Sequence, residues 1–260
     1  MKLHSQLIGS GEPVVLLHGI LASSHYWKGV IDTIDTTTHQ VLAIDMLGFG
    51  QSPKPAVGYD IENYADLIMQ TIQDSGIETP VTLVGHSMGS LVAAYIAQHH
   101  PSKIKNLVLV SPPFYASREQ ALDYIVGQST YAKLFRTNVL ARISCWAMCH
   151  ARAPLRVLTR LFYRGVPKQV AYDVLQHNWH SYSGVLENII INQDYLQSPQ
   201  PLIKITILYG SEDRLIVHRN LLNFSDSTKI IKVDTGHNIP LDDTASVIEA
   251  IKLGDNIHTS

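Results

Sequence analysis

The sequence predicts an α/β fold: a mostly parallel central sheet with helices on both faces and one inserted helical cap. Three observations predict it. Short apolar runs alternate with amphipathic stretches from Pro13 to Ser111, the same alternation resumes near Leu202, and the stretch from Pro113 to about Gln200 is helical and aromatic in pattern without a convincing strand. The expected organisation is therefore a core formed by residues 1–112 and 201–260, interrupted once by a helical insertion over 113–200.

Before Pro13 there is room for one short strand only, where a full-length sheet of this kind would begin with two. PVVLLHG (13–19) reads as the next strand. QVLAIDM (40–46), a helix over Ile61–Asp74, PVTLVGHS (80–87), a helix running through His99 and KIKNLVLVS (103–111) follow. Each apolar run has the length of a strand buried on both faces, and strand alternating with helix implies right-handed crossovers between parallel strands. After the insertion, KITILYG (204–210) is expected as a strand, Leu215–Phe224 as a helix, KIIKVD (229–234) as a strand, and about Asp242–Leu253 as a helix.

With 260 residues, 45% hydrophobic and 16% charged, the chain can bury a sizeable core. A formal net charge of -2 and a pI near 6.7 give no global attraction to nucleic acid or to an acidic membrane surface. The longest apolar run near the start, Pro13 to Leu17, is far too short to cross a bilayer, and no basic segment precedes an apolar one. A cytoplasmic location is the expectation. Cys145 and Cys149 lie one helical turn apart, so they are expected as small apolar core side chains; neither a metal site nor a cofactor is expected.

The most specific feature is Gly85-His86-Ser87-Met88-Gly89, between the strand-like VTLV and the helical SLVAAYIAQHH. A serine at the tip of a tight strand-to-helix turn needs small residues two positions either side, because larger ones would be driven into the neighbouring strand and helix. Gly85 and Gly89 supply them, and Ser87 then sits where a helix N-terminus favours negative charge. The competing explanation is that Ser87 merely caps the helix.

Serine at its ordinary acidity is a poor nucleophile and needs a base, itself oriented by a third group. Of the 13 histidines, His237 in Thr235-Gly236-His237-Asn238 follows KIIKVD on the edge where strand C-termini gather. His99 and His100 at a helix end, and His177 and His180 in the insertion, are expected to solvate faces. For the orienting acid, Asp213 lies just beyond ITIL, with Glu212 its nearest rival; adjacent residues point differently, so only one can serve. Asp242 and Asp243 are expected at a helix N-terminus. An oxyanion formed at Ser87 needs two donors. The N–H of Met88 is one, and the N–H of Ile20 in His18-Gly19-Ile20, just after VVLL, is the candidate for the other.

Four separated motifs in this order resemble the α/β-hydrolase fold family across essentially the whole chain. Asp45-Met46-Leu47-Gly48-Phe49-Gly50-Gln51-Ser52 is similar to the loop after the next strand in many members, where the aspartate is structural. The resemblance implies Ser87 as nucleophile, His237 as base, Asp213 as acid, and the Ile20 and Met88 amides as oxyanion donors. It implies a serine hydrolase acting on an ester, thioester or lactone through an acyl-enzyme on Ser87, of carboxylesterase type. Dehalogenase-like and epoxide-hydrolase-like members use an aspartate nucleophile, which Ser87 does not provide. Two alternatives stand. Carbon–carbon bond hydrolases of aromatic degradation commonly carry Asn before the serine and Trp after the histidine, where this chain has His86 and Asn238. A non-catalytic ligand-binding member would keep the fold without turnover.

The insertion is electrically distinct. From Lys133 to Lys168 it holds eight basic residues and no acidic one, and Arg156, Arg160 and Arg164 fall at i, i+4 and i+8 on one helix stripe. A solvated face explains this. The sharper expectation is a substrate-binding stripe for a small-molecule acyl substrate that is anionic or carrier-bound, as in the acyl-carrier-protein methyl ester esterases the chain resembles in outline. Oligomeric state is left open by the sequence.

Overall fold

In the computed structural model, residues 1–127, 143, 166–194, 203–221 and 228–255 are described. Among the described residues seven strands form one sheet: β1 (Ser5–Gly9), β2 (Glu12–Leu17), β3 (His39–Ile44), β4 (Val81–His86), β5 (Ile104–Val110), β6 (Lys204–Gly210) and β7 (Lys229–Val233). Their order is β1-β3-β2-β4-β5-β6-β7. Only β1 runs antiparallel, pairing with β3 from Ser5↔Ile44 to Gly9↔Gln40; the other pairings are parallel. The mostly parallel α/β sheet expected from the sequence is the observed fold, and a single strand precedes Pro13.

Continuous apolar runs follow from burial on both faces. Val15, Leu17, Leu42, Ile44, Leu83, Leu107 and Leu109 join one core cluster, while their neighbours Val14, Leu16, Val41, Ala43, Val84, Val108 and Val110 join the other. The first core is covered by α2 (Ile61–Asp74) and α3 (Met88–His99), the second by α1 (Lys28–Thr33) and the last helix, Thr244–Asp255. In α2 the buried Ile61, Tyr64, Ala65, Ile68, Thr71 and Ile72 make one stripe, and Asp60 caps the start by accepting the Asn63 N–H.

Between β5 and β6 the described residues contain helices Arg118–Gly127, Lys168–Asp173 and Trp179–Val185 and a π-helical turn, Leu186–Ile191, but no strand. Arg156, Arg160, Arg164, Cys145 and Cys149 lie outside the described residues.

A 3-10 turn, Ser24–Trp27, and α1 lie between β2 and β3, a stretch to which the sequence pattern assigns no element. Three local expectations need correction. The helix expected from Leu215 begins at His218, because Asp213 Oδ1 holds the Leu215 N–H in a turn first. Asp242 ends a short helix, Ile239–Asp242, whereas Asp243 caps the next one, accepting from the Ser246 N–H at 3.1 Å and hydroxyl at 2.7 Å. His177 does not solvate a face: it is buried, with Nδ1 2.8 Å from the Val174 carbonyl.

Candidate active site

The parallel strands deliver their C-terminal ends to one edge of the sheet, where ligands of such folds gather. The 85–89 turn is built there by close approach. A Cβ on Gly85 would lie 2.2 Å from the Gly89 carbonyl oxygen, and one on Gly89 would lie 2.4 Å from that of Leu17 and 2.7 Å from that of His18. Glycine at both positions is therefore a steric requirement. At the tip, Ser87 takes φ 52° and ψ −120°, a conformation costly for any residue with a Cβ, and its hydroxyl makes no capping bond to α3. Capping thus does not account for this serine. Strain of this kind marks functional turns.

Asp213 follows β6 and is buried; its Oδ2 accepts the Nδ1–H of His237 at 2.7 Å and its Oδ1 the Leu215 N–H at 2.9 Å. Glu212 is exposed, so the rivalry between the two neighbours is decided by direction. With Nδ1 engaged by a carboxylate, the lone pair of His237 resides on Nε2, the form a general base requires. The β6 and β7 loops come this close through Gly210, where a Cβ would meet the Gly236 carbonyl oxygen at 2.2 Å. Bonds from Ser211 N–H to the Val233 carbonyl (2.7 Å) and from Glu212 N–H to that of Thr235 (3.0 Å) lock the two loops together.

The loop after β2 packs against the serine turn: a Cβ on Gly19 would lie 3.3 Å from Ser87 Cβ and 3.0 Å from His86 Nδ1. His18 fixes its direction. Its Nε2 accepts the Met46 N–H at 2.9 Å, so its proton is on Nδ1, which donates to the Gly19 carbonyl at 2.7 Å. Burial lowers the His18 imidazole from its ordinary value, with Asp45 opposing, which suits this neutral tautomer. The peptide is trans, so the Ile20 N–H points opposite to the Gly19 carbonyl that His18 holds. Met88, as the first residue of α3, has an N–H without an acceptor inside the helix. Asp45 binds no reacting group: it takes the N–H groups of Ser24 at 2.6 Å and Gln51 at 2.8 Å.

Residues 12–244 match the family described as the alpha/beta hydrolase fold. The chain belongs to the α/β-hydrolase fold family. It is 27% identical over 242 residues to "Probable lysophospholipase BODYGUARD 4" of Arabidopsis thaliana, covering 86% of this chain and 58% of that protein. The chain thus spans roughly half the length of the curated relatives it matches. Among solved structures it is similar to an epoxide hydrolase of Bacillus megaterium (TM-score 0.73, 20% identity, 98% of this chain and 96% of that one). It is similar also to a marine microorganism esterase (TM-score 0.69, 20% identity, 95% and 97%). At such identities these two likenesses speak for the α/β-hydrolase fold alone.

Within this α/β-hydrolase site the structure adds two residues that the sequence reading missed. His86 Nε2 donates to the His237 carbonyl at 3.0 Å, and its ring stacks on Tyr26 with centroids 4.7 Å apart. Tyr26 donates its hydroxyl to Asn238 Oδ1 at 3.0 Å. Burial first, and His237 second, push the His86 imidazole well below its ordinary value, so it remains neutral beside the candidate base. Its Nδ1 is buried without a hydrogen-bond partner among the described residues and faces Gly19. The position of His86 inside the serine motif was the only signal of it in the sequence. Among the described residues no helix is long and apolar enough to cross a membrane.

Proposed function

We propose that the protein is a serine hydrolase that cleaves an ester, thioester or lactone bond through an acyl-enzyme on Ser87. The observation that carries this reading is the strained, non-capping Ser87 at the tip of its turn, on the same sheet edge as a histidine already paired to a buried carboxylate. A hydroxyl held at such cost and not used to hold its own helix is available for chemistry.

In this mechanism Ser87 Oγ attacks the acyl carbon while its proton passes to Nε2 of His237. Asp213 holds Nδ1–H and offsets the imidazolium charge. The tetrahedral oxyanion is met by the Ile20 and Met88 N–H groups, the first oriented by the His18–Gly19 bond. His237 then returns the proton to the leaving group, and water activated by the same nitrogen releases the acid. The stretch 113–200, expected from its sequence pattern to be helical, would act as a cap above Ser87, and Arg156, Arg160 and Arg164 within it would bind an anionic or carrier-bound substrate. The relatives named as probable lysophospholipases favour a lysophospholipid acyl ester among these classes.

The test is a fluorophosphonate probe together with p-nitrophenyl esters of increasing chain length. Stoichiometric labelling of Ser87 and hydrolysis, both abolished in Ser87→Ala, are expected; hydrolysis that survives Ser87→Ala defeats the reading. Arg156, Arg160 and Arg164 changed together to Gln should raise KM for an anionic ester at low salt and leave neutral esters unaffected.

A further inference from the structure

A carboxylate withdrawn from water must be surrounded by donors, and where those donors lie shows what it holds. Asp173, the last residue of helix Lys168–Asp173 between β5 and β6, is only 1% exposed. Its Oδ2 accepts the Ser23 hydroxyl at 2.5 Å and His25 Nδ1 at 3.0 Å; its Oδ1 accepts Gln176 Nε2 at 2.9 Å and Gln169 Nε2 at 3.2 Å. Ser23 Oγ in turn accepts the His25 N–H at 3.1 Å. The residue types match those of a serine triad, but the bonding does not: the Ser23 hydrogen goes directly to the carboxylate, and Ser23 is itself 1% exposed. This cluster holds a loop and is no second nucleophile.

The loop is the one that leaves β2 through His18, Gly19 and Ile20. Between Ile20 and Ser23 lies Leu21, a branched residue at φ 61°, which persists only where its surroundings over-determine it. On its upstream side the His18–Gly19 bond fixes the chain. Downstream, Asp45 takes the Ser24 N–H from the end of β3, and Asp173 takes Ser23 and His25. Of these anchors only Asp173 comes from the stretch inserted between β5 and β6.

We infer that Asp173 is a positioning residue for the oxyanion donor: through Ser23 and His25 it keeps Leu21 left-handed and the Ile20 N–H aimed at the acyl oxygen. Seating of the inserted stretch and readiness of the donor are thereby one event. The inference rests on the hydrolase reading and on Ile20 as donor. A donor needed only as charge develops affects turnover more than substrate binding.

The experiment compares wild type, Asp173→Asn and Ser23→Ala by p-nitrophenyl acetate kinetics, trifluoromethyl ketone inhibition and amide hydrogen exchange, with Ser87→Ala alongside. In both loop variants kcat should fall about 10- to 100-fold with KM nearly unchanged. Affinity for the ketone, which forms an oxyanion on the serine, should fall by the same factor as kcat/KM. Exchange should quicken over residues 19–25 and stay unchanged over 81–99. Unaltered exchange over 19–25, or a raised KM with kcat retained, overturns the inference. Should Asp173→Asn not fold, Ser23→Ala, which leaves the carboxylate three donors, decides the matter. Activity lost in Ser87→Ala but kept in Asp173→Asn defeats the inference alone, whereas activity kept in Ser87→Ala defeats the hydrolase reading.

Discussion

His86 donates to the backbone carbonyl of His237 at 3.0 Å, so the residue before the strained serine holds the loop that carries the candidate base. Tyr26, stacked on the same imidazole, holds the next residue through Asn238 Oδ1. Two neighbouring positions of one loop are thus tied to side chains that are themselves buried. Tyr26→Phe keeps the stacking and deletes the bond to Asn238 Oδ1 together with the longer 3.3 Å contact between the hydroxyl and His86 Nε2, a loss of about 1 kcal/mol. If that is felt at the transition state, kcat falls about fivefold with little change in KM, which steady-state kinetics on a p-nitrophenyl ester would reveal.

The neutral, buried histidines make stability depend on pH. Burial lowers both His18 and His86 below the unfolded value of 6.5. Between that value and their folded ones, the unfolded chain binds protons that the native state refuses, so stability is full above pH 6.5 and falls as the solution is acidified. Each histidine contributes a slope of about 1.4 kcal/mol per pH unit in that window. Urea midpoints measured from pH 7.5 to 5 should decline. His86→Gln should remove one share of the slope, and an identical slope in that variant would contradict the assignment.

Replacement of the orienting carboxylate separates two neighbours in sequence. Asp213→Asn leaves a side chain able to bond His237, but with the wrong tautomer, and kcat should fall by about 10⁴-fold. Glu212→Gln should leave kcat within about twofold, because an exposed side chain away from special contacts is worth little. Equal losses in the two variants would reassign the acid.

These two carboxylates also show what was legible in the sequence and why. Strand ends, the glycines around Ser87 and the boundaries of α2 are local properties of pattern, and Ile61–Asp74 is found with the expected limits. Topology alone carries Glu212, Asp213 and His237 to one sheet edge, since all three follow parallel strands, but choosing between the two carboxylates takes the direction of each side chain, which the pattern does not give. The partners that steady them are another matter. Tyr26 meets Asn238 across 212 positions, and Asp173 meets Ser23 across 150, with no periodicity to announce either. The burial of His177 escapes the sequence for the same reason: helical spacing gives a face, and only packing decides whether water reaches it.

Gly89 carries a steric prediction. A methyl group there meets two backbone carbonyls of β2 and its loop, neither of which can yield without moving the sheet. Gly89→Ala should cost about 3 kcal/mol or more and lower Tm accordingly. Gly76→Ala is the comparison: its Cβ would meet nothing within 4 Å, and only the φ of +79° resists it, at about 1 to 2 kcal/mol. Thermal melts of the two variants should rank in that order.

Ser87 should show the opposite trade. At φ 52° and ψ −120° the backbone adopts a conformation that glycine enters freely and serine does not, and the hydroxyl returns no capping bond to the helix. Ser87→Gly therefore removes strain without removing a hydrogen bond to α3. It should raise stability by about 1 kcal/mol in urea titrations while eliminating probe labelling and ester hydrolysis. A variant that is inactive and less stable would mean that the serine side chain supports the turn, and that its strained backbone is not a cost borne for chemistry.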